Sequence, residues 1–257
     1  MVRRQDFIES DSGHADPDAL RVDNPFVVQW EYASEERLAA RNAVYRSLLR
    51  EGENADEVAY DIVRGLAPLH VLEVGCGMGE FAQRLTREAG IAVKAVDLSP
   101  RMVELARTRG VDAVVADVQN VPFGDAEFGV VVANWVLYHV PDVDRALDEI
   151  ARVLEPEGHL VAATVGPENM RELWELVGGP ISIERSFDTR TGKERLQRHF
   201  SSVEQRDIEG TLVFPDTDAV RHFVSMTMTR AHLADHVPEI SEPLRTHSRH
   251  TIFVARK

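Results

Sequence analysis

The chain has 257 residues, 29 Lys and Arg against 43 Asp and Glu, a formal net charge of −14, 44% hydrophobic residues and one cysteine. That composition excludes global disorder, and the length suits one large domain, or one domain with a cap, able to bury its core without staples. Cys76 alone can make neither an internal disulfide nor a structural zinc site, and the acidic balance argues against a grip on nucleic acid through the bulk field, though not against a local basic groove.

Met1 to Asp6 looks briefly like the charged start of a targeting signal, but Glu9, Asp11, His14, Asp16 and Asp18 interrupt any apolar run behind it. No stretch approaches the roughly 18 apolar residues that cross a bilayer. The expectation is a cytoplasmic protein with no membrane partner. Residues 1 to about 25, with Gly13, Pro17 and Pro25, read as a polar arm. From Gln29 to Arg50 the pattern is helical, with Leu38, Val44, Tyr45, Leu48 and Leu49 able to share a face. A second helix runs from Ala55 to Leu66 and ends at Pro68.

Short apolar runs follow: Val71–Val74, Ala92–Val96, Ala113–Ala116, Phe128–Ala133 and Leu160–Thr164. Continuous rather than alternating runs indicate strands buried on both faces. Helices separate most of them. One carries Phe81, Leu85 and Ala89; one has Ser99 as N-cap and Pro100 at its first position; one starts at Asp142 and stops at Gly158. This β-α-β alternation predicts an α/β, doubly wound, parallel sheet. In the C-terminal third, Glu168–Val177, Lys193–Phe200 and Asp216–Val237 look helical. Val203–Phe214 looks like one strand or two, and Thr251–Val254 like a last one. The expected division is an arm and helical cap over 1–66 and a core over 67–257, with a helical insertion near 215–240.

Glu73-Val74-Gly75-Cys76-Gly77-Met78-Gly79 sits between the first core strand and its helix. Glycines there let the backbone turn sharply and approach a ligand, at the strand ends where open α/β sheets bind one. The third glycine comes one residue too early for the dinucleotide pattern, and no lysine makes a phosphate-binding loop. Glu73 suits a cationic ligand group instead. The next strand ends in Asp97, an acid able to accept from both hydroxyls of a ribose; the third ends in Asp117, able to accept from an exocyclic amine. The fourth runs into Asn134-Trp135-Val136-Leu137-Tyr138-His139-Val140-Pro141-Asp142. Four successive strand ends thus carry groups suited to an adenosine. A tight turn with no ligand is the competing reading of the glycines.

From Val71 to Thr164 the sequence resembles the class I S-adenosylmethionine-dependent methyltransferases, nearest in flavour to the small-molecule branch of quinone and natural-product enzymes. The resemblance rests on Glu73-x-Gly75-x-Gly77-x-Gly79, Asp97-x-Ser99-x-x-Met102, Asp117-Val118, the Asn134–Asp142 segment and Leu154-Glu155-Pro156-Glu157-Gly158. It implies a Rossmann-like sheet of seven mostly parallel strands, the last antiparallel. It also implies S-adenosylmethionine as cofactor, with S-adenosylhomocysteine as product. Glu73, Gly75, Cys76, Gly77 and Gly79 would form the loop under its methionine and ribose. Asp97 would hold the ribose, Leu98 and Met102 would pack on the adenine, Asp117 and Val118 would meet its amine edge, and Asn134 would lie near the methionine end.

The reaction implied is in-line displacement at an activated sulfonium methyl, where alignment and exclusion of water do most of the work. His139 is a candidate general base or substrate contact, with packing or cofactor contact as the competing role. Tyr138 could line the substrate site or simply pack. Trp30 and Tyr32 could fold over the cofactor as a lid or staple the cap to the core. Arg37, Arg41 and Arg46 could bind an anion or form a solvated face. His222, Met226, Met228, His232 and His236 fall in the insertion, where the family often builds its substrate pocket, and His222 is a candidate substrate contact. His232 and His236 have metal-binding spacing without the acid of the zinc-protease pattern, so no metal is expected. Cys76 is given no nucleophilic role. The leading expectation is methyl transfer to a small organic acceptor. The alternatives are an RNA or protein methyltransferase on the same fold, or a cofactor-binding regulator without turnover. The charge, and the absence of the Asn/Asp-Pro-Pro-Tyr/Phe tetrad at Asn134, count against RNA.

Overall fold

The middle of the chain alternates short apolar runs with amphipathic stretches, and the computed structural model, which describes residues 22–182 and 185–257, folds them into one sheet flanked by helices. Phe26, Trp30, Arg37 and Leu49 are described by backbone alone, and most of the expected arm lies outside the described residues. In chain order the elements are α1 (Pro25–Glu31), α2 (Glu36–Ser47), β1 (Leu49–Gly52), α3 (Ala55–Leu66), β2 (His70–Val74), α4 (Glu80–Ala89), β3 (Ala92–Asp97), α5 (Pro100–Thr108), β4 (Asp112–Val115) and β5 (Phe128–Asn134). There follow α6 (Val143–Val153), β6 (Leu154–Val165), α7 (Arg171–Leu176), α8 (Gly192–Leu196), β7 (Ser202–Phe214), α9 (Thr217–Ser225) and β8 (Leu244–Arg256), with 3₁₀ turns at Leu137–His139 and Ala231–His236.

The strand order is β1-β7-β8-β6-β5-β2-β3-β4. β4, β3, β2, β5 and β6 run parallel, and β8 inserts antiparallel between β6 and β7. The chain leaves β2 toward β3 and β4, then returns to β5 on its other side. The crevice between β2 and β5 is therefore the topological switch point. Burial on both faces explains the continuous apolar runs. Val71, Val130 and Val161 pack with Ala59 and Val63 of α3; their neighbours Leu72, Val131 and Leu160 pack on the opposite face with Leu147 and Ile150 of α6. All of these are fully or almost fully buried. Truncating one such leucine to alanine typically costs about 2–5 kcal/mol, so the sheet holds its strand ends in fixed relative positions. Among the described residues no helix is long and apolar enough to cross a membrane.

The sheet has eight strands, not the seven expected. The addition is β1, inside the span read as the end of a helix from Gln29 to Arg50. That span divides. Its first helix stops at Glu31, because the Tyr32 carbonyl accepts from Ser99 Oγ at 2.6 Å and Glu35 is held by Arg101. The second stops at Ser47, and Leu48 turns extended so that Leu49–Gly52 can pair antiparallel with Val213–Gly210 of β7. Pairing covers the edge of a long strand that would otherwise be open, and this outweighs local helix preference. Leu49 to Leu66, placed with the cap from sequence, thus contributes one strand and one packed helix to the sheet.

At the C-terminus, β7 is a single strand and pairs with β8 along its whole length, which draws β8 out to Leu244–Arg256. The helix expected from Asp216 to Val237 ends at Ser225, where Ser225 Oγ donates to His222 O and Thr227 Oγ1 to Val224 O. α6 ends at Val153, before Gly158, and β6 begins at once.

Candidate functional site

β2 delivers Glu73 and then the glycine loop to the switch point. Gly75 and Gly79 have φ of 68° and 77°. A Cβ at Gly75 would lie 2.4 Å from the Val136 side chain, and one at Gly79 would lie 2.8 Å from Ala106 Cβ. Both positions therefore require glycine, for conformation and for space. Asp97, at the end of β3, closes the loop from the neighbouring strand. Its Oδ2 accepts from Gly77 N and its Oδ1 from Ser99 N, both at 2.8 Å. Burial raises its pKa against the pull of these two bonds.

Glu73 is 4% exposed, and its Oε2 has no hydrogen-bond partner. Burial, opposed by the Ala82 backbone N–H and reinforced by Asp97, pushes its carboxyl up to about 8. Across the crevice at the end of β5, the buried Oδ1 and Nδ2 of Asn134 also lack partners. Buried polar groups are almost always paired, so an orphaned acid and an orphaned amide on adjacent strand ends mark a place built for a polar ligand. The Glu73 carboxylate would suit a cation, and the amide can both donate and accept.

The other expected contacts divide. Leu98 is 52% exposed at the mouth of β3, whereas Met102 is completely buried. Val118 is buried, and Asp117 accepts from Gln119 N at 2.8 Å and from the Gln119 side-chain amide. Cys76 is buried, and burial pushes its thiol well above the ordinary range, consistent with no nucleophilic role.

The segment from Val22 to Glu35 lies against the same strand ends. His139 Nδ1 donates to Val22 O at 2.7 Å, which leaves Nε2 to accept from the Tyr32 hydroxyl at 3.1 Å. Burial lowers the His139 pKa to about 4 despite the Val22 bond. The imidazole is thus neutral, with both nitrogens occupied by the cap; as arranged it pins Val22 and Tyr32 and has no vacant lone pair for a substrate proton. Burial raises the Tyr32 and Tyr138 hydroxyls. Trp30 lies on α1, its side chain outside the described residues. Arg41 pairs with buried Glu31 at 2.7 Å and so docks α2, whereas Arg46, paired with Glu80, stays on the solvated face; the Arg37 side chain is outside the described residues.

His222 is exposed on α9, because Val220, Phe223 and Val224 turn the other faces of that helix into the core. Sequence reasoning also missed residues that the fold brings near. Trp135, at φ 61°, donates from its indole to Asp56 Oδ1 at 2.9 Å and packs edge-on to buried His250. The Arg185 guanidinium lies 5.9 Å from the Tyr138 ring, and Arg230 lies 4.0 Å from that of Trp174. Lone arginines in irregular stretches carry no periodicity to find them by. Among the described residues there is no cluster of three or more His, Cys, Asp or Glu placed to hold a metal.

The model of the Methyltransferase domain family matches residues 72–162. A Malonyl-[acyl-carrier protein] O-methyltransferase of Halorhodospira halophila is 34% identical over 178 residues, covering 61% of this chain and 60% of that protein. Methyltransferase GfsG of Streptomyces halstedii is 35% identical over 126 residues, covering 46% of this chain and 45% of that protein. The chain therefore spans less than two thirds of these relatives. Among solved structures, the [4+2]-cyclase SpnF superposes with a TM-score of 0.59 at 21% identity, over 90% of this chain and 95% of that one. At that identity the likeness shows the fold alone, and the name shows that the fold also serves other chemistry.

Proposed function

We propose, from the premise that this chain carries a class I S-adenosylmethionine-dependent methyltransferase domain, that it transfers the cofactor's methyl group to a small organic acceptor. The observation that carries the reading is the pair of orphaned groups, Glu73 and Asn134, at the mouth of a glycine loop tied to Asp97. The donor set fits the cofactor: a carboxylate for its ammonium, an acid at the β3 end for its ribose, and loop glycines where a Cβ would collide. When bound, the cofactor supplies an activated methyl on a sulfonium. The chain's own part is to bind, align and exclude water. Glu73 holds the cationic end, Asp97 fixes the loop and accepts from the ribose, and Leu98 offers an apolar surface to the base. Tyr32 and Tyr138 stand at the mouth, and the Val22–Glu35 segment covers it as part of a cap formed by α1 and α2.

No side chain is assigned as a general base, since both His139 nitrogens are engaged. One relative is named for methylating an oxygen of malonyl-[acyl-carrier protein], and this reading extends no further than a small organic acceptor. The acidic charge supports a metabolite acceptor over RNA, in the cytoplasm. The test incubates the full chain with methyl-labelled S-adenosylmethionine and separated metabolite, RNA and protein fractions of its source cell. Label in one small metabolite is the expected result. Label confined to RNA or protein would overturn the acceptor class, and tight cofactor binding without any label would point to a regulator.

A further inference from the structure

Arg230 stands between α9 and the 3₁₀ turn Ala231–His236. It is 5% exposed, and its Nε and Nη2 are buried with no hydrogen-bond partner. A guanidinium this deep in a protein normally meets a carboxylate, because an uncompensated buried charge is costly. Here burial, reinforced by a second cation, Arg185, lowers its pKa to about 10. Two arginines have been brought together in a chain whose net charge is −14. The orphaned nitrogens have a particular geometry. Nε and Nη2 form one edge of the guanidinium, the edge that presents two parallel N–H groups to a carboxylate. Trp174 stacks at 4.0 Å on the guanidinium plane and is itself fixed, donating from its indole to Asn169 O at 3.0 Å. The plane is therefore held, and its edge is left for a ligand.

The position is linked to the site already described through Arg185, whose charge acts on Arg230. Arg185 lies 5.9 Å from the Tyr138 ring, and Tyr138 lies 4.5 Å from His139 on the 3₁₀ turn that follows β5. The surroundings are apolar: Met170, Leu173, Trp174 and Val177 belong to one buried cluster.

We propose that Arg230, with Arg185 beside it, binds a carboxylate of the acceptor edge-on, making the acceptor an organic acid with an apolar body. The word acceptor rests on the methyl-transfer reading; the anion site does not. The probes are octanoate, its neutral counterpart octanamide, and octyl phosphate, titrated calorimetrically into the full chain with and without saturating S-adenosylhomocysteine. Octanoate is expected to bind, with octanamide at least about tenfold weaker, the usual weight of a charge-assisted pair, and with octyl phosphate weaker than octanoate, because its larger and more highly charged head costs more to bring to a buried edge. Arg230→Gln should reduce octanoate to the octanamide level while leaving S-adenosylhomocysteine affinity unchanged. Arg230→Met should hold or raise the melting temperature of the free protein, because it removes a charge whose Nε and Nη2 meet no hydrogen-bond partner among the described residues and keeps the contact with Trp174.

Octanoate binding no tighter than octanamide, or weaker than octyl phosphate, overturns the proposal. So does octanoate affinity that survives Arg230→Gln, or a lower melting temperature in Arg230→Met, which would make the arginine structural. The wild-type comparison decides even if a variant does not fold. Failure of the methyl-transfer reading looks different: no binding of S-adenosylhomocysteine, with octanoate binding intact.

Discussion

Asp97 combines two jobs in one side chain. It accepts from Gly77 N and Ser99 N, and so sets the shape of the loop that its strand faces. Sequence reading assigned it only the ribose. Asp97→Ala should therefore weaken S-adenosylhomocysteine by at least about tenfold, since it removes bonds to the ligand and those that preorganise the loop. Calorimetry checks this, and an unchanged dissociation constant would sink the cofactor assignment. Glu73 gives a second residue-level test. With its carboxyl pushed up to about 8, it is mostly protonated at pH 7 in the free protein. An ammonium placed beside it restores the charge and expels the proton. Binding at pH 7 in buffers of different ionisation enthalpy should show release of most of one proton, and Glu73→Gln should abolish that release.

At the scale of elements, α5 shows how one cap serves two purposes. Ser99 Oγ accepts from Met102 N at 3.3 Å and donates to Tyr32 O at 2.6 Å, joining the start of a core helix to the covering segment. Ser99→Ala should cost about 1 kcal/mol in urea denaturation, the usual worth of an N-cap, and should also weaken cofactor binding by loosening the cover. The cap itself was legible in the sequence, because Ser-Pro before an amphipathic run is a local signal. The two-faced strands were legible for a similar reason, as in Val71-Leu72, where adjacent apolar residues feed opposite cores. β1 was not, because only its pairing with β7, far along the chain, makes a strand of Leu49–Gly52. The placement of Glu73, Asp97 and Asn134 was readable because each stands at or next to the end of an apolar run. The exposure of His222 was not, because a histidine in an irregular region reveals nothing about which face it occupies. Arg230 was passed over for the same lack of pattern.

For the whole molecule, buried ionisable groups set opposing responses to pH. Burial lowers His139 and His250 from the ordinary 6.5 to about 4. Their contribution to stability is complete above 6.5 and is lost as the pH falls through 4. Glu73 acts in the opposite direction: its contribution is complete below the ordinary 4.5 and is lost as the pH rises through 8. Urea midpoints of the free protein should therefore decline on the acid side between these limits, and His250→Asn should flatten that decline. The alkaline decline should shrink when S-adenosylhomocysteine is present, because a cation beside Glu73 favours its charged form. An acid limb unchanged by His250→Asn would show that other groups govern it.

The contacts that hold the Val22–Glu35 segment have a kinetic consequence. Val22 and Tyr32 are tied to His139, Tyr32 also to Ser99, and Glu35 to Arg101 through two bonds of 2.8 and 2.6 Å. His139 follows β5, and Ser99 and Arg101 follow β3, so these anchors belong to the strand ends on either side of β2. A molecule that enters or leaves beneath the segment waits for these bonds to part. Its residence time is then governed by residues that never touch it, and its observed arrival rate should level off as its concentration rises, at the frequency with which the cover lifts.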